Sequence, residues 1–316
     1  MSVHDSSTWP EFAKVDPEFD AIFQAAGGKL PGFGNCSDIN ASRQILAQIL
    51  AQMAAQGPAP DYTGIKKSKV DVPVRDGSTI NSLLYQPASP PAGGSPLVLL
   101  FHSGGFCMGV PELQEPLALE LTRKHGAVVI IVDYRLAPEY PFPIPIEDSY
   151  DALKWAAANA SKLIANPEKG FVIGGDSAGG NISAVISHLA RDEQIFPPLT
   201  GVWLNVPETV AQEALPEKYK NEHTSYAQNR DAPLFGEEEV KPLQKHYNAV
   251  PSDPRLDMLR DDALLYEREL RSQGVSTRIH VYSGVPHAFD GMFPHISLAR
   301  KFNQDRSEGF AWLFKN

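Results

Sequence analysis

Phe171-Val172-Ile173-Gly174-Gly175-Asp176-Ser177-Ala178-Gly179-Gly180-Asn181-Ile182 carries a short apolar run into a glycine-flanked serine and out again into a helical rhythm. Phe171–Gly174 reads as a strand buried on both faces, since a strand covered by helices on either side has no polar face to show. Gly179–Arg191 reads as the helix that follows. Between them stands Gly175-Asp176-Ser177-Ala178-Gly179, a G-x-S-x-G. So tight a strand-to-helix turn strains the backbone of the serine and leaves no room for bulk two residues to either side. It sets the Ser177 hydroxyl at the carboxyl end of a sheet and the amino end of a helix, where free N–H groups favour developing negative charge. The bland alternative is a plain glycine-rich turn. A phosphate loop is excluded by Asn181-Ile182, which stand where Lys and Ser or Thr are needed. Ser177 is the candidate nucleophile.

Outward from this point the same alternation repeats. Leu97–Phe101 and Val128–Val132 are continuous apolar runs, and Gly201–Val206 is a fourth strand. Helical segments cover Glu112–His125, ending at Gly126, and Ile146–Ala160. Strand, helix, strand, helix predicts an α/β architecture with a parallel sheet and right-handed crossovers. Ahead of it, Val70–Arg75 and Ile80–Gln86 flank Asp76-Gly77-Ser78 as a hairpin, and residues 87–96 form a connector of turn residues. Residues 1–60 read as helical pieces. The clearest is Asn40–Gln56, with Ile45, Ile49 and Met53 on one face and Gly57-Pro58 as its stop. From Pro207 to Pro254 the pattern lapses. Met258–Gln273 is helical again, Thr277–Tyr282 reads as a strand, and Ser297–Phe314 as a closing helix.

A second chemical signal follows the strand Leu97–Phe101. His102-Ser103-Gly104-Gly105-Phe106 places adjacent glycines where a backbone can approach a substrate with no side chain between. Ester hydrolysis passes through a tetrahedral oxyanion that needs N–H donors already aimed at it. Gly104 and Gly105 would supply two, and Ala178 a third. Alone, such a glycine pair is more often a simple loop; beside the serine turn it gains meaning.

Together these motifs resemble the hormone-sensitive-lipase-like branch of the α/β-hydrolases, esterases with an H-G-G-G oxyanion signature and a G-D-S-A-G turn. The resemblance continues through Asp133-Tyr134-Arg135-Leu136-Ala137-Pro138-Glu139, Pro143 to Asp148, and Tyr282-Ser283-Gly284-Val285-Pro286-His287-Ala288-Phe289, covering most of residues 65–315. It implies an α/β-hydrolase fold with an eight-stranded sheet, no cofactor, and short- to medium-chain acyl esters as substrates. It also implies an N-terminal helical cap over the active site, here residues 1–60. Residues 61–316 would form the catalytic domain, with 207–250 contributing to the cap and loop region. Ser103 replaces the usual first glycine after the histidine, and Ala288 the usual glycine after His287.

Ser177 needs a general base, and a neutral imidazole suits neutral pH. Nine histidines are available. His4, His223 and His246 lie in polar segments, His125 at a helix end, His188 within a helix, His280 within the strand pattern and His295 beyond the motif. His287 follows the last strand at the carboxyl edge of the sheet, and the order serine, acid, histidine suits the resemblance. The acid that orients the imidazole falls on Asp257, because Asp257-Met258-Leu259-Arg260-Asp261-Asp262 resembles the family's D-P-L-R-D; Asp261 is next in line. An N-cap role for Asp257 and first-turn roles for Asp261 and Asp262 are the structural alternative. The strand that normally precedes this aspartate is missing: no apolar run stands between Val206 and Asp257. That leaves a gap beside the last strand and main-chain groups to be satisfied otherwise.

Composition narrows the partners. A net charge of −10 argues against nucleic acid, which needs clustered Lys and Arg. No apolar run approaches the roughly 20 residues of a membrane span, and the first residues show no signal-peptide pattern. Two cysteines, Cys36 and Cys107, lack metal-type or C-x-x-C spacing. The expectation is a cytoplasmic enzyme acting on a small-molecule ester, in monomeric or dimeric form, with fungal secondary metabolism as a setting by analogy. Thioesters or activated amides on the same scaffold are the nearest alternatives. A catalytically impaired ligand-binding homologue is a different class, kept open by the missing strand. A lipase at a lipid interface would need an amphipathic lid, and Asn40–Gln56 is rich in Gln and Ala.

Overall fold

The computed structural model describes residues 2–30, 32–34, 36–207, 209, 215–249 and 260–315. After a 3-10 turn over Ser6–Ala13, the N-terminal helices are α1 (Pro17–Ala25) and α2 (Ile39–Gln56). Each begins on an aspartate. Asp16 accepts from the N–H groups of Glu18 and Phe19, and Asp38 from those of Asn40 and Ala41, which satisfies donors a helix start leaves open. The hairpin is β1 (Ile65–Pro73) and β2 (Thr79–Pro87).

Then follow β3 (Leu97–Phe101), α3 (Glu115–His125), β4 (Val128–Val132), α4 (Ile144–Asn159), β5 (Phe171–Asp176), α5 (Ala178–Asp192) and β6 (Gly201–Asn205). The chain continues with the single turn α6 (Ser225–Gln228), α7 (Glu237–Tyr247), α8 (Arg260–Ser272), the single turn α9 (Phe289–Met292) and α10 (Ser297–Leu313).

Among the described residues the sheet has six strands in the order β1-β2-β4-β3-β5-β6, antiparallel up to β4 and parallel beyond it. Alternate residues of the central strands feed two separate cores. Leu97, Leu99, Phe101, Val128, Ile130 and Ile173 pack toward α4 and α5. Val98, Leu100, Val129, Ile131 and Val172 pack toward α3 and Phe310 of α10. Burial on both faces is why these strands read as unbroken apolar runs rather than alternations.

Two expectations fail here. The sheet is six-stranded, not eight-stranded, and Thr277–Tyr282 is not a strand. No described strand lies beyond β6 for it to pair with, and a strand without a ladder partner has nothing to hold it extended. Ile279 and Val281 instead join Trp9, Phe12, Leu264 and Leu265 in a small apolar cluster against the N-terminal segment. All five residues of β6 are only half-buried, in contrast to the fully covered β3 and β4. The stretch immediately before Asp257 lies outside the described residues.

Arg135 ties the second family stretch into the core. Its Nε and Nη2 donate to both oxygens of Asp148 at 2.8 and 2.7 Å, its backbone N–H donates to the same carboxylate at 3.1 Å, and Nη1 reaches Asp76 at 2.6 Å. Asp148 is 1% exposed. Removing one member of a buried, forked pair strands the other's charge, so Asp148→Ala should cost about 3–5 kcal/mol. Urea denaturation followed by circular dichroism should show the midpoint falling steeply in that variant.

Candidate functional site

β3 and β5 lie side by side, with Phe101 opposite Gly175, so the loops that leave their carboxyl ends meet. On β5 the chain turns into α5 at Ser177, whose φ of 54° and ψ of −117° lie outside every region favoured by a side-chain-bearing residue. The crowding that demands this is explicit. A Cβ on Gly179 would fall 2.1 Å from the Phe101 carbonyl oxygen, and one on Gly175 would fall 2.5 Å from the same atom. The Ser177 N–H donates to Asn205 of β6 at 2.9 Å, and Asn181 of α5 donates back to the Ser177 carbonyl.

The glycine loop after β3 is equally constrained. Gly104, Gly105 and Phe106 all take positive φ, 128°, 58° and 61°. The Gly104 carbonyl closes the turn by accepting from Cys107 and Met108 at 3.1 and 3.0 Å. The N–H groups of Gly104, Gly105 and Ala178 donate to no other group of the described chain. Ser103 is not among the positive-φ residues, so a side chain there is tolerated. His102 is fully buried beneath the loop, stacked on Tyr134 at 4.3 Å, and burial lowers it to about 4, which keeps it a neutral structural residue.

His287 sits in the loop before α9. Gly284 anchors that loop to the N-terminus: its N–H donates to Phe12 O at 2.8 Å, and Asp16 N–H donates to its carbonyl at 2.9 Å. A Cβ on Gly284 would lie 2.1 Å from Lys14 O, so only glycine permits this approach. Ala288 adopts the left-handed region at φ 58°, which accounts for glycine's usual place there. The His287 ring stacks on Phe235 at 4.8 Å, and burial alone lowers it to about 4. It makes no hydrogen bond to Ser177.

Asp257 lies outside the described residues. Asp261, its alternate, is taken: it accepts from the N–H groups of Thr224 and Ser225 at 2.7 Å each and so caps α6. Asp262 pairs with His223 at 3.1 Å, both side chains buried, and that carboxylate helps raise the imidazole against its burial.

Two features of the site escaped sequence reading. Burial raises Asp290, three residues past His287, to about 6, and the negative charge of Asp176 adds to it. Asp176 itself accepts from Asn205 and Gln114. More consequential is α7, in the stretch where the pattern lapses. Val240, Leu243 and Tyr247 form its buried stripe, and their i, i+3, i+7 spacing was the available signal, masked by Pro242 and by the surrounding breaks. Leu243 lies directly on Gly105, whose Cβ would come within 2.7 Å of its side chain. Tyr247 stacks on Phe106 at 4.0 Å.

A mixed sheet, parallel where it carries the site, with a serine on a strained strand-to-helix turn, a glycine loop beside it and a histidine loop near it, defines an α/β-hydrolase. A family model described as "alpha/beta hydrolase fold" matches residues 98–256. An AB hydrolase superfamily protein of Schizosaccharomyces pombe is 35% identical over 97% of this chain and 96% of its own. Versiconal hemiacetal acetate esterase of Dothistroma septosporum is 30% identical over 91% and 92%. The solved structure of vibralactone cyclase superposes with a TM-score of 0.84 at 33% identity, covering 96% of both chains. The chain belongs to the hormone-sensitive-lipase-like family of α/β-hydrolases, and several of its relatives are named carboxylesterases or esterases. Among the described residues no helix is long and apolar enough to cross a membrane, and no cluster of His, Cys, Asp or Glu could hold a metal ion.

Proposed function

We propose that the protein is a cytoplasmic carboxylesterase for small esters with short acyl chains, working through an acyl-enzyme on Ser177. The Ser177 hydroxyl attacks the ester carbonyl as His287 takes its proton; the carbonyl oxygen, now negative, is met by the N–H groups of Gly104, Gly105 and Ala178. His287 returns the proton to the departing alcohol, and water repeats the sequence to release the acid. Asp257 orients the imidazole and stabilises its cationic form. Residues 1–60 and 207–250 act as the cap over the residue 61–316 scaffold. The observation that carries this reading is the strained Ser177 turn beside three backbone donors that bond to no other group among the described residues. An acetate esterase among its relatives supports a short acyl group. The test is steady-state hydrolysis of p-nitrophenyl acetate, butyrate and octanoate, with Ser177→Ala as control; turnover that survives the substitution refutes it.

The wall made by α7 supports the short acyl preference. Leu243 against Gly105, with Phe235 on His287, leaves little room beside the carbonyl. Leu243→Ala removes three carbons there, and each methylene of added room is worth about 1–3 kcal/mol of discrimination. The octanoate-to-acetate ratio of kcat/KM should rise about tenfold or more. An unchanged ratio across the acyl series would place the acyl group elsewhere.

A second reading has its own observation. Ser177 and His287 share no hydrogen bond, and among the described residues the sheet ends at β6. A ligand-binding homologue with little turnover would bind ester analogues tightly and release no p-nitrophenol beyond a Ser177-dependent burst.

A further inference from the structure

Arg43 stands in α2, well away in sequence from every catalytic group, yet its guanidinium is committed almost entirely to the glycine loop and its support. Nε donates to the Cys107 carbonyl at 2.8 Å and Nη2 to the Ala137 carbonyl at 2.8 Å. Nη1 and Nη2 each reach a separate oxygen of Glu139 at 2.7 Å, and this fork holds the Glu139 carboxyl down at about 2. The side chain is half-buried, so these bonds are partly shielded from water.

The loop needs such a hold. Gly104, Gly105 and Phe106 are three consecutive residues at positive φ, a conformation that glycines adopt but do not prefer and that Phe106 adopts only under constraint. Two bonds fix its far side: Ala137 N–H donates to Phe106 O at 2.9 Å, and Arg43 grips the next carbonyl, Cys107. Because Arg43 also grips Ala137 O, it ties Ala137 to Cys107, the residue next to Phe106, and so backs up the first bond from both sides. The Cys107 peptide in turn closes the Gly104 turn through Cys107 N–H to Gly104 O.

From this arrangement we infer that Arg43 is a positioning residue for the oxyanion hole, through which the N-terminal cap sets the aim of the Gly104 and Gly105 N–H groups. The inference rests on the esterase reading above. Oxyanion donors act only if they are in place before the charge develops, so a slack loop lowers the rate of the chemical step while leaving substrate binding nearly intact.

The test uses the full chain with Arg43→Met, which keeps the aliphatic stem and removes every donor, and Arg43→Lys, whose compact ammonium lacks the fork that spans the Cys107, Ala137 and Glu139 acceptors together. Two quantities are read. The first is kcat and KM on p-nitrophenyl butyrate. The second is the inhibition constant of a trifluoromethyl ketone: the Ser177 oxygen adds to its carbonyl carbon, the hydroxyl proton passes to His287, and the former carbonyl oxygen becomes an alkoxide in the hole.

In Arg43→Met, kcat should fall about 10- to 100-fold with KM changed by less than about threefold, the scale of a catalytic group displaced by a fraction of an ångström. The inhibition constant should rise by the same factor as kcat falls. Arg43→Lys should lie between, and Glu139→Gln, which leaves both carbonyl contacts standing, should lose less than either. If Arg43→Met does not fold, the order of the other two variants decides. A folded variant with kcat and inhibition constant unchanged, or a fall in kcat with inhibitor binding unaltered, overturns the inference. A wild-type chain with no Ser177-dependent hydrolysis overturns the esterase reading itself and takes this one with it.

Discussion

Ser177→Ala should abolish ester hydrolysis, lowering kcat by on the order of 10⁴-fold or more, and should do so without unfolding the protein. The size follows from the role: with the oxygen gone there is no acyl-enzyme, and only the contribution of the oxyanion donors to attack by water remains. The retained fold follows from the geometry. No side-chain hydrogen bond from Ser177 is lost, and its contacts to Asn205 and Asn181 are made by the backbone, which alanine keeps. Alanine also inherits the strained φ of 54°, so the melting temperatures of the two proteins should nearly coincide. Ser177→Gly, equally inactive, relieves that strain and should melt higher, consistent with the roughly 1–3 kcal/mol stored at such a position. A variant that lost activity together with secondary structure would mean the turn was serving the fold rather than the reaction.

The turn itself was fully legible, because its reading depended on local rules: buried strand, glycines where the Phe101 carbonyl leaves no space, helix. The same holds for β1 to β6 and for the helices between them, whose bounds differ from expectation by a few residues. What could not be read was anything that depends on a partner in space. Thr277–Tyr282 has the composition of a strand, but a strand is completed by its neighbour, and no described strand stands beside β6 to receive it. Its apolar residues found Trp9 and Phe12 instead. The strand expected to be missing before Asp257 falls outside the described residues; what the described sheet does show, that it stops at β6 with Thr277–Tyr282 unpaired, had no local signal. Helix α7 was missed for a different reason. Its buried stripe is only Val240, Leu243 and Tyr247, with Pro242 in the midst, and it earns its place by packing on Gly105 and Phe106. Arg43, inside the expected Asn40–Gln56 helix, drew no reading at all, since nothing local hints at carbonyls 64 and 94 residues away.

His287 yields the other large effect and the sharper question. Its replacement by alanine should cost about 10²–10⁴ in kcat, the usual worth of a general base. The pH dependence then tells how the base is held. Burial penalises the imidazolium, so His287 is lowered from its usual value near 6.5 to about 4. A base must be neutral to accept the Ser177 proton, so kcat/KM should be flat from neutrality downward and fall only as pH drops toward 4. The stability sign agrees: the unfolded chain binds this proton more readily than the folded one, so His287 withdraws stability as pH falls from about 6.5 toward 4. A carboxylate on the far ring nitrogen reverses the first effect, because it favours the cation that burial disfavours. If Asp257 reaches His287, the acid limb of kcat/KM therefore moves back up toward the ordinary imidazole range, and Asp257→Asn moves it down again. If it does not, the limb stays at about 4 and Asp257→Asn leaves it where it was. Asp290, raised to about 6 by burial and by the charge of Asp176, titrates in the same range. Asp290→Asn separates the two, since it removes a limb that belongs to the carboxyl and spares one that belongs to the imidazole. The profiles of these proteins thus decide whether Asp257 serves His287 as its acid.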